Sequence, residues 1–383
     1  MKMFVRFIFI SVIFFYSFST CLFAQNKIKL GLLVPITGEF SEIGQSIIKS
    51  TLLAINKIDN PLIEIIPKDT ESDPEVTYRR AKELKELGVN IVIGPVFNKN
   101  LNKLEDLDDM IFLSLTNKII DNPKNIISTG INAGSQLNTI LKFQEDTNLT
   151  KTIFLVPNKS YKVEIQKAIK SSKIKTFKVH YYDSDPTKLT KQIEKITKYS
   201  QRKQNIKDEI NRLENSDDPN KEKKIKILEK RDTLGKIGFD SVIIADFDES
   251  LKSITTSLIY TDVKPVDTYF ITLNQWFDES LLKETSYQPI YYPSVNKKNY
   301  DEFVELYFNK FHHYPNQLSF LSYDLVGLVY YLILQNSWNI DEKIFLKKNK
   351  FKGKVGIFEI KDKKINHVLN FYKIENNTIK KIF

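Results

Sequence analysis

The side chains that most often carry reactions are few in this chain and poorly spaced for joint work. Its histidines, His180, His312, His313 and His367, show neither His-Glu-x-x-His nor His-x-His spacing, so no two imidazoles are set to share a metal ion. His312 and His313 are neighbours that would point apart on a helix. Cys21 is the only cysteine, which leaves everything after it without a thiol nucleophile, a disulfide or a cysteine zinc site. No Gly-x-Ser-x-Gly elbow occurs. Asp246-Phe247-Asp248-Glu249 supplies paired carboxylates, but a lone acidic loop after a strand lacks the second element that acid–base chemistry needs. The expectation is a protein that is not an enzyme, with no cofactor and no metal.

A second stretch invites a phosphate reading. In GLLVPITGEFSEIGQS, from Gly31 to Ser46, an apolar strand runs through a glycine-bearing turn toward a helix. Gly31, Gly38 and Gly44 are too widely spaced for a dinucleotide fingerprint, and no Lys-Ser/Thr follows Gly38. The stretch reads as a strand-to-helix turn, with Ser41 as helix cap and Glu42 at the positive end of the helix dipole.

These groups must be held by a folded frame, and the chain's start says where that frame resides. Lys2 and Arg6 precede an apolar run from Phe7 to Phe18, and small or neutral residues lead to Ala24. That is the layout of a secretory signal peptide, residues 1–24, cut after Ala24, in a protein bound for the periplasm. The apolar run is shorter than the about 20 residues of a spanning helix. Cys21 offers another route, an outer-membrane lipoprotein cut before that residue, and membrane contact is expected only if Cys21 is lipidated. Removing Lys2 and Arg6 takes the net charge from +10 to +8. Nucleic acid is a poor partner for an exported protein, so the charge is given no nucleic-acid role.

With 42% hydrophobic residues in 383, the chain is globular and exceeds what one core usually covers, so two lobes are expected. Short β-rich runs alternate with helical periods: Ile28 to Val34, Ile63 to Pro67, Ile91 to Gly94, Ile111 to Leu115 and Ile126 to Thr129, with a helix at Glu75 to Leu87. This is the rhythm of a parallel α/β sheet. It restarts at Thr152 to Val156, Thr176 to Tyr182, Ser241 to Ala245 and Thr268 to Leu273. Residues 187–234 break it with charged helical periods, one stripe being Leu189, Ile193, Ile196, Ile206, Ile210 and Leu213. Ser216 to Asn220 interrupts them, which predicts a helical hairpin inserted in the second lobe, either packed on that lobe or reaching a partner.

Four blocks, IKLGLLVPITGEFSEIGQSIIKSTLLAI, DTESDPEVTYRRAKELKELGVNIVIGPVFNKN, VELYFNKFHHYPNQLSFLSYDLVGLVYYLI and FKGKVGIFEI, resemble in this order the type I periplasmic binding proteins of the leucine-binding family. Phe303, Tyr307, Tyr314-Pro315 and Ser322-Tyr323-Asp324 are the most specific elements of that resemblance. It implies two Rossmann-like lobes with parallel sheets joined by three crossovers. Residues 25–130 and 293–361 would form lobe 1; residues 131–292, with the insert, and 362–383 would form lobe 2. Two family branches are similar to this chain, receptors of amino-acid transporters and penicillin-binding-protein activators. The expected partners are thus a small-molecule ligand with a transporter permease, or a peptidoglycan synthase. Val96-Phe97-Asn98 and Tyr161-Lys162 stand where many receptors carry Ser or Thr and Tyr-Gly, and DTESDP and GPVFNKNLNKL look closer to the activators.

A ligand in such a fold sits between the lobes, at the carboxyl ends of the strands. An α-amino acid needs hydroxyls and free N–H groups for its carboxylate and an acid for its ammonium group. The loops after the strands offer Phe97, Asn98, Ser114, Thr116 and Asn117 from lobe 1, joined by the turn that ends at Ser41. From lobe 2 they offer Asn158, Ser160, Tyr161, Asp246, and Trp276 with Phe277. The resemblance gives Thr116 and Asn117 the ligand's main chain and Tyr161 an aromatic wall. Each has a structural role open to it as well: a helix cap for Thr116-Asn117, loop packing for Tyr161 and Trp276, a turn acceptor for Asp246.

Overall fold

A computed structural model describes residues 27–119, 121–273, 277, 280–336, 342–345, 348–354, 356–361 and 364–383. The expected signal peptide, with Cys21 and Ala24, and the candidate Trp276 lie outside them. β1 (Ile28–Val34) reads IKLGLLV, apolar at nearly every position, as a strand covered on both faces must be. With β2 (Ile63–Asp69), β3 (Ile91–Ile93), β4 (Ile111–Ser114) and β5 (Ile126–Ser128) it builds a parallel sheet of order β2-β1-β3-β4-β5. Helix α1 (Ser41–Ile58) covers one face through Ile47, Leu53 and Ala54. Helix α2 (Pro74–Glu86) covers the other through Ala81 and Leu84.

Local chemistry explains where these helices begin. Asp73 accepts the N–H groups of Glu75 and Val76 at 2.8 and 3.0 Å, and Pro74 follows in the first turn, where its missing N–H costs nothing. Helix α1 differs from expectation. Phe40 is its N-cap, without a side-chain cap hydrogen bond, and Ser41 is already inside the helix with its N–H on Gly38 O. The turn before it is held instead by Asp69 at the end of β2, which accepts Ile36 N and Thr37 Oγ1 at 2.8 and 2.6 Å. Burial pushes this carboxyl up, but hydrogen bonds from Thr37, Glu71 and Ile36 bring it below the ordinary carboxylate value.

The second sheet is mixed. β6 (Thr152–Pro157), β7 (Lys178–Tyr182), β8 (Ser241–Ile244), β9 (Tyr269–Thr272) and β10 (Ile290–Ser294) are parallel. The chain reaches them through α3 (Ala133–Asp146), and α4 (Lys162–Ser171) links β6 to β7. A short α9 (Ser280–Lys283) precedes β10, after which the chain returns to the first core as α10 (Lys297–Phe311) and α11 (Gln317–Gln335). Helix α11 is long and apolar enough to cross a membrane, yet it is a core helix here, lying on α1 with Ser50 Oγ on Ser319 O at 2.5 Å. Helix α10 ends at Phe311, with His312 in the left-handed C-cap, so His312 and His313 share no helix.

The strands β11 (Asn349–Lys352), β12 (Ile357–Lys361) and β13 (Lys364–Val368) form an antiparallel sheet. The pairing of β13 with β12 differs from the expectation that everything from Lys364 joins the second sheet, and Ile365 packs into the first core. Only β14 (Asn370–Glu375) and β15 (Thr378–Lys381) extend the second sheet, antiparallel at its edge. The chain thus passes between the two sheets after β5, after β10 and at Leu369.

The expected hairpin is three helices. α5 (Pro186–Ile196) contributes Leu189 and Ile193 to the second core beside α8 (Asp248–Tyr260), as a crossover helix does. The break is at Lys198, in the left-handed region at φ 53°, and the projecting pair is α6 (Tyr199–Glu214) with α7 (Lys221–Leu228). Arg202 roots it. Its buried guanidinium donates to Thr197 O and Thr233 Oγ1 at 3.1 and 2.9 Å and also to Thr261 O at the end of α8. Helix periodicity alone joins α5 to α6, because the lysine at the break carries no breaker signal.

Candidate functional site

Strand β8, four consecutive buried residues of sequence SVII, ends in a loop that begins Ala245-Asp246. The Asp246 side chain has no exposed surface. Burying a carboxylate is tolerated only when its oxygens are supplied with donors, and this chain supplies them from three strand ends. Lys159 Nζ lies 2.9 Å and Tyr161 Oη 3.1 Å from Oδ1, both from the loop after β6. Tyr182 Oη, at the end of β7, lies 2.7 Å from Oδ2, and Phe247 N donates to Oδ1 at 3.1 Å. Burial, then the Asp246 charge, pushes both tyrosine hydroxyls far above their ordinary value, so they stay protonated donors.

Lys159 completes the cluster. Its Nζ also lies 2.9 Å from Ser250 Oγ, it faces the Phe247 ring at 5.9 Å, and its side chain is 33% exposed. The rings of Tyr161 and Phe247 stand 5.9 Å apart. The loops after β6 and β8 together therefore bring an ammonium group and two aromatic rings to one place. Ser160, between the two bonded residues, is exposed, as is Asn158.

The first sheet's candidates divide. Ser114 is fully buried and donates to Pro95 O at 2.8 Å, so its hydroxyl braces the neighbouring strand end. Thr116 is also buried; its Oγ1 accepts Lys118 N at 3.2 Å, and its carbonyl accepts Gly130 N. Asn117 is exposed. Phe97 is half-buried with its ring 4.8 Å from Phe40, and Asn98, half-buried too, opens a short 3-10 turn. Ser41 is half-buried at the start of α1. Phe277 packs between Tyr300 and Tyr372 at 5.3 and 5.4 Å and joins both cores.

The two sheets' loops meet beside this cluster. Glu164, in the first turn of α4, accepts Ile119 N from the loop after β4 at 3.0 Å, and Lys167 reaches Asp121 at 3.8 Å. That contact brings the Thr116-Asn117 loop alongside the helix that starts after Tyr161. A cavity of about 250 Å³ opens at the same loop, lined by Ile119, Asn122, Lys124, Ser128 and Lys364 among others. None of the candidates named from the sequence lines it. Among the described residues, no group of histidine, cysteine or acidic side chains could hold a metal ion.

Sequence reasoning missed Lys159, Tyr182 and Glu164. Lys159 stood between two named residues, and a cation facing a buried acid was the signal to seek. Tyr182, the buried last residue of a strand with an exposed neighbour in Tyr181, was legible from strand alternation.

Residues 27–196 match the family model for periplasmic binding protein. No curated protein matches the sequence. Among solved structures, the isoleucine complex of LivJ, a branched-chain amino-acid transporter substrate-binding protein from Streptococcus pneumoniae, is similar at 17% identity and TM-score 0.55 over 93% of this chain and 98% of that one. A solute-binding protein from Rhodopseudomonas palustris in complex with 3,4-dihydroxybenzoic acid gives 16% and 0.58 over 93% of each. The C-domain of LpoA from Haemophilus influenzae, a regulator of PBP1A, gives 13% and 0.61 over 93% of this chain and all of that one. The chain has the type I periplasmic binding protein fold, with that family's sequence pattern in residues 27–196.

Proposed function

We propose that this chain is an exported, non-enzymatic solute-binding protein whose two lobes close on a small molecule, in the manner of a transporter's receptor. On this reading lobe 1 comprises residues 25–130 and 293–368, and lobe 2 residues 131–292 and 369–383. The observation that carries it is the meeting of strand-end loops at Ile119 and Glu164, which sets the Thr116-Asn117 loop beside the Lys159–Tyr161–Asp246 cluster. Ligands of open α/β sheets bind outside such strand ends, and lobes joined by short crossovers close by hinge motion. Proteins of similar fold hold isoleucine or 3,4-dihydroxybenzoic acid. The signal-peptide layout of residues 1–24 supports a periplasmic place for it.

A specific observation favours a second reading, the peptidoglycan synthase activator. Asp246 is satisfied by the chain's own donors and asks for no ligand cation, and the LpoA C-domain, named as a PBP1A regulator, shares the fold. Thermal unfolding against amino acids, aryl acids and peptidoglycan fragments separates the two. A solute present at 100 times its Kd adds about 2.7 kcal/mol to stability. A shifted midpoint supports the receptor. No shift, together with faster turnover of a peptidoglycan synthase on addition of the protein, supports the activator.

A further inference from the structure

The Asp246 carboxylate is the acid at a lobe 2 strand end that an α-amino acid's ammonium group would seek, and it is already taken. A carboxylate offers about four lone-pair sites. Oδ1 receives Lys159 Nζ, Tyr161 Oη and Phe247 N, while Oδ2 receives Tyr182 Oη. With no exposed surface on the Asp246 side chain, a ligand cation cannot reach it without displacing one of these donors. A second ammonium beside Lys159 would also meet its like charge.

Lys159 has donor capacity to spare. Two of its three protons go to Asp246 and Ser250, a third of its side chain is exposed, and it faces the Phe247 ring, which stands 5.9 Å from the ring of Tyr161. A charge-assisted hydrogen bond to a carboxylate is the strongest use of such a proton, and the two rings suit an apolar or aromatic body. Resting on the solute-binding reading, we infer that Lys159 sets the specificity of this protein. It fills the ammonium position itself and selects carboxylate solutes that lack an α-amino group.

Matched pairs test this. Phenylalanine and 3-phenylpropionate differ by the amino group alone, as do leucine and 4-methylpentanoate. Isothermal titration of the purified protein should show each deaminated member binding at least tenfold more tightly than its amino acid. Lys159→Arg should keep that order, and Lys159→Met should cost the carboxylate at least tenfold. Since Lys159→Met strands a buried acid, the double variant Lys159→Met/Asp246→Asn provides the same comparison with that acid neutralised. Amino acids binding as tightly as their partners would overturn the inference and leave the solute-binding reading intact. Equal carboxylate affinity in Lys159→Arg, Lys159→Met, the double variant and the parent would also overturn it. Binding of neither class, tried with both pairs and with 4-hydroxybenzoate, would overturn the solute-binding reading and the inference with it.

Discussion

Lys159 places its ammonium 2.9 Å from Asp246 Oδ1, on a side chain that shows solvent no surface. The pair joins the loop after β6 to the loop after β8, and Tyr182 adds the end of β7. Breaking a buried charge pair costs more than the pair contributes, because the remaining group loses its partner. Lys159 is partly exposed and can return to water, so removing the acid is the milder change of the two. Asp246→Asn is expected to lower stability by about 2 kcal/mol, and Lys159→Met by more, since it leaves the acid buried. Urea titration of the two variants checks the order; a costlier Asp246→Asn would mean that Asp246 serves the tyrosines more than the lysine.

Glu164 predicts how the lobes communicate. Its Oε1 accepts Ile119 N across the two sheets' loops at 3.0 Å, and a net hydrogen bond is worth about 1 kcal/mol. On the proposed solute-binding reading, with that bond in the closed form, Glu164→Ala shifts the lobes toward opening and weakens solute binding about fivefold, with little change in the free protein's unfolding midpoint. Glu164→Gln keeps an acceptor and should retain most of the affinity. Titration calorimetry on both variants reads the difference.

Much of the frame was legible because it is written in short-range periodicity. The strands of the first sheet lie within two residues of where apolar runs place them, since β1, β3, β4 and β5 are buried along nearly their whole length and the half-exposed edge strand β2 is still bounded by turns. The misses have one physical source: the decisive partner is distant in sequence. Asp69 holds the Pro35-to-Gly38 turn from 32 residues away, so Ser41 looked like the cap. Lys198 breaks the helices through a left-handed conformation that lysine sequences do not announce. Asp246 drew notice as an acid for a ligand, but its cation lies 87 residues earlier in the same chain.

Gly44 gives a stability prediction whose sign runs against helix propensity. It sits inside α1, where alanine normally gains up to about 1 kcal/mol over glycine. A Cβ there would stand 1.8 Å from Pro35 O, backbone that cannot swing aside. Gly44→Ala should therefore destabilise by about 2 kcal/mol or more, as overpacking does. Denaturant unfolding measures it, and a neutral result would mean that the turn before α1 moves freely.

His367 sets a pH dependence. It is buried beside the first crossover, with Nε2 2.8 Å from Thr129 O and its backbone N–H on Ser135 Oγ at 2.9 Å. Asp324 lines the same small cavity but accepts Lys354 N at 2.5 Å. Burial lowers the imidazole from 6.5 to about 4, against the Thr129 hydrogen bond that raises it. The unfolded chain then binds more protons than the folded one between those values, so stability rises with pH across that window. The contribution is full above about pH 6.5, declines as pH falls and is gone below about 4, a span of about 3 kcal/mol at one pKa unit per 1.4 kcal/mol. His367→Gln keeps a donor for Thr129 without a titrating group. Unfolding free energies of parent and variant between pH 4 and 7 should differ in slope, the variant's being flatter, and equal slopes would show that the acid sensitivity lies with the carboxylates alone.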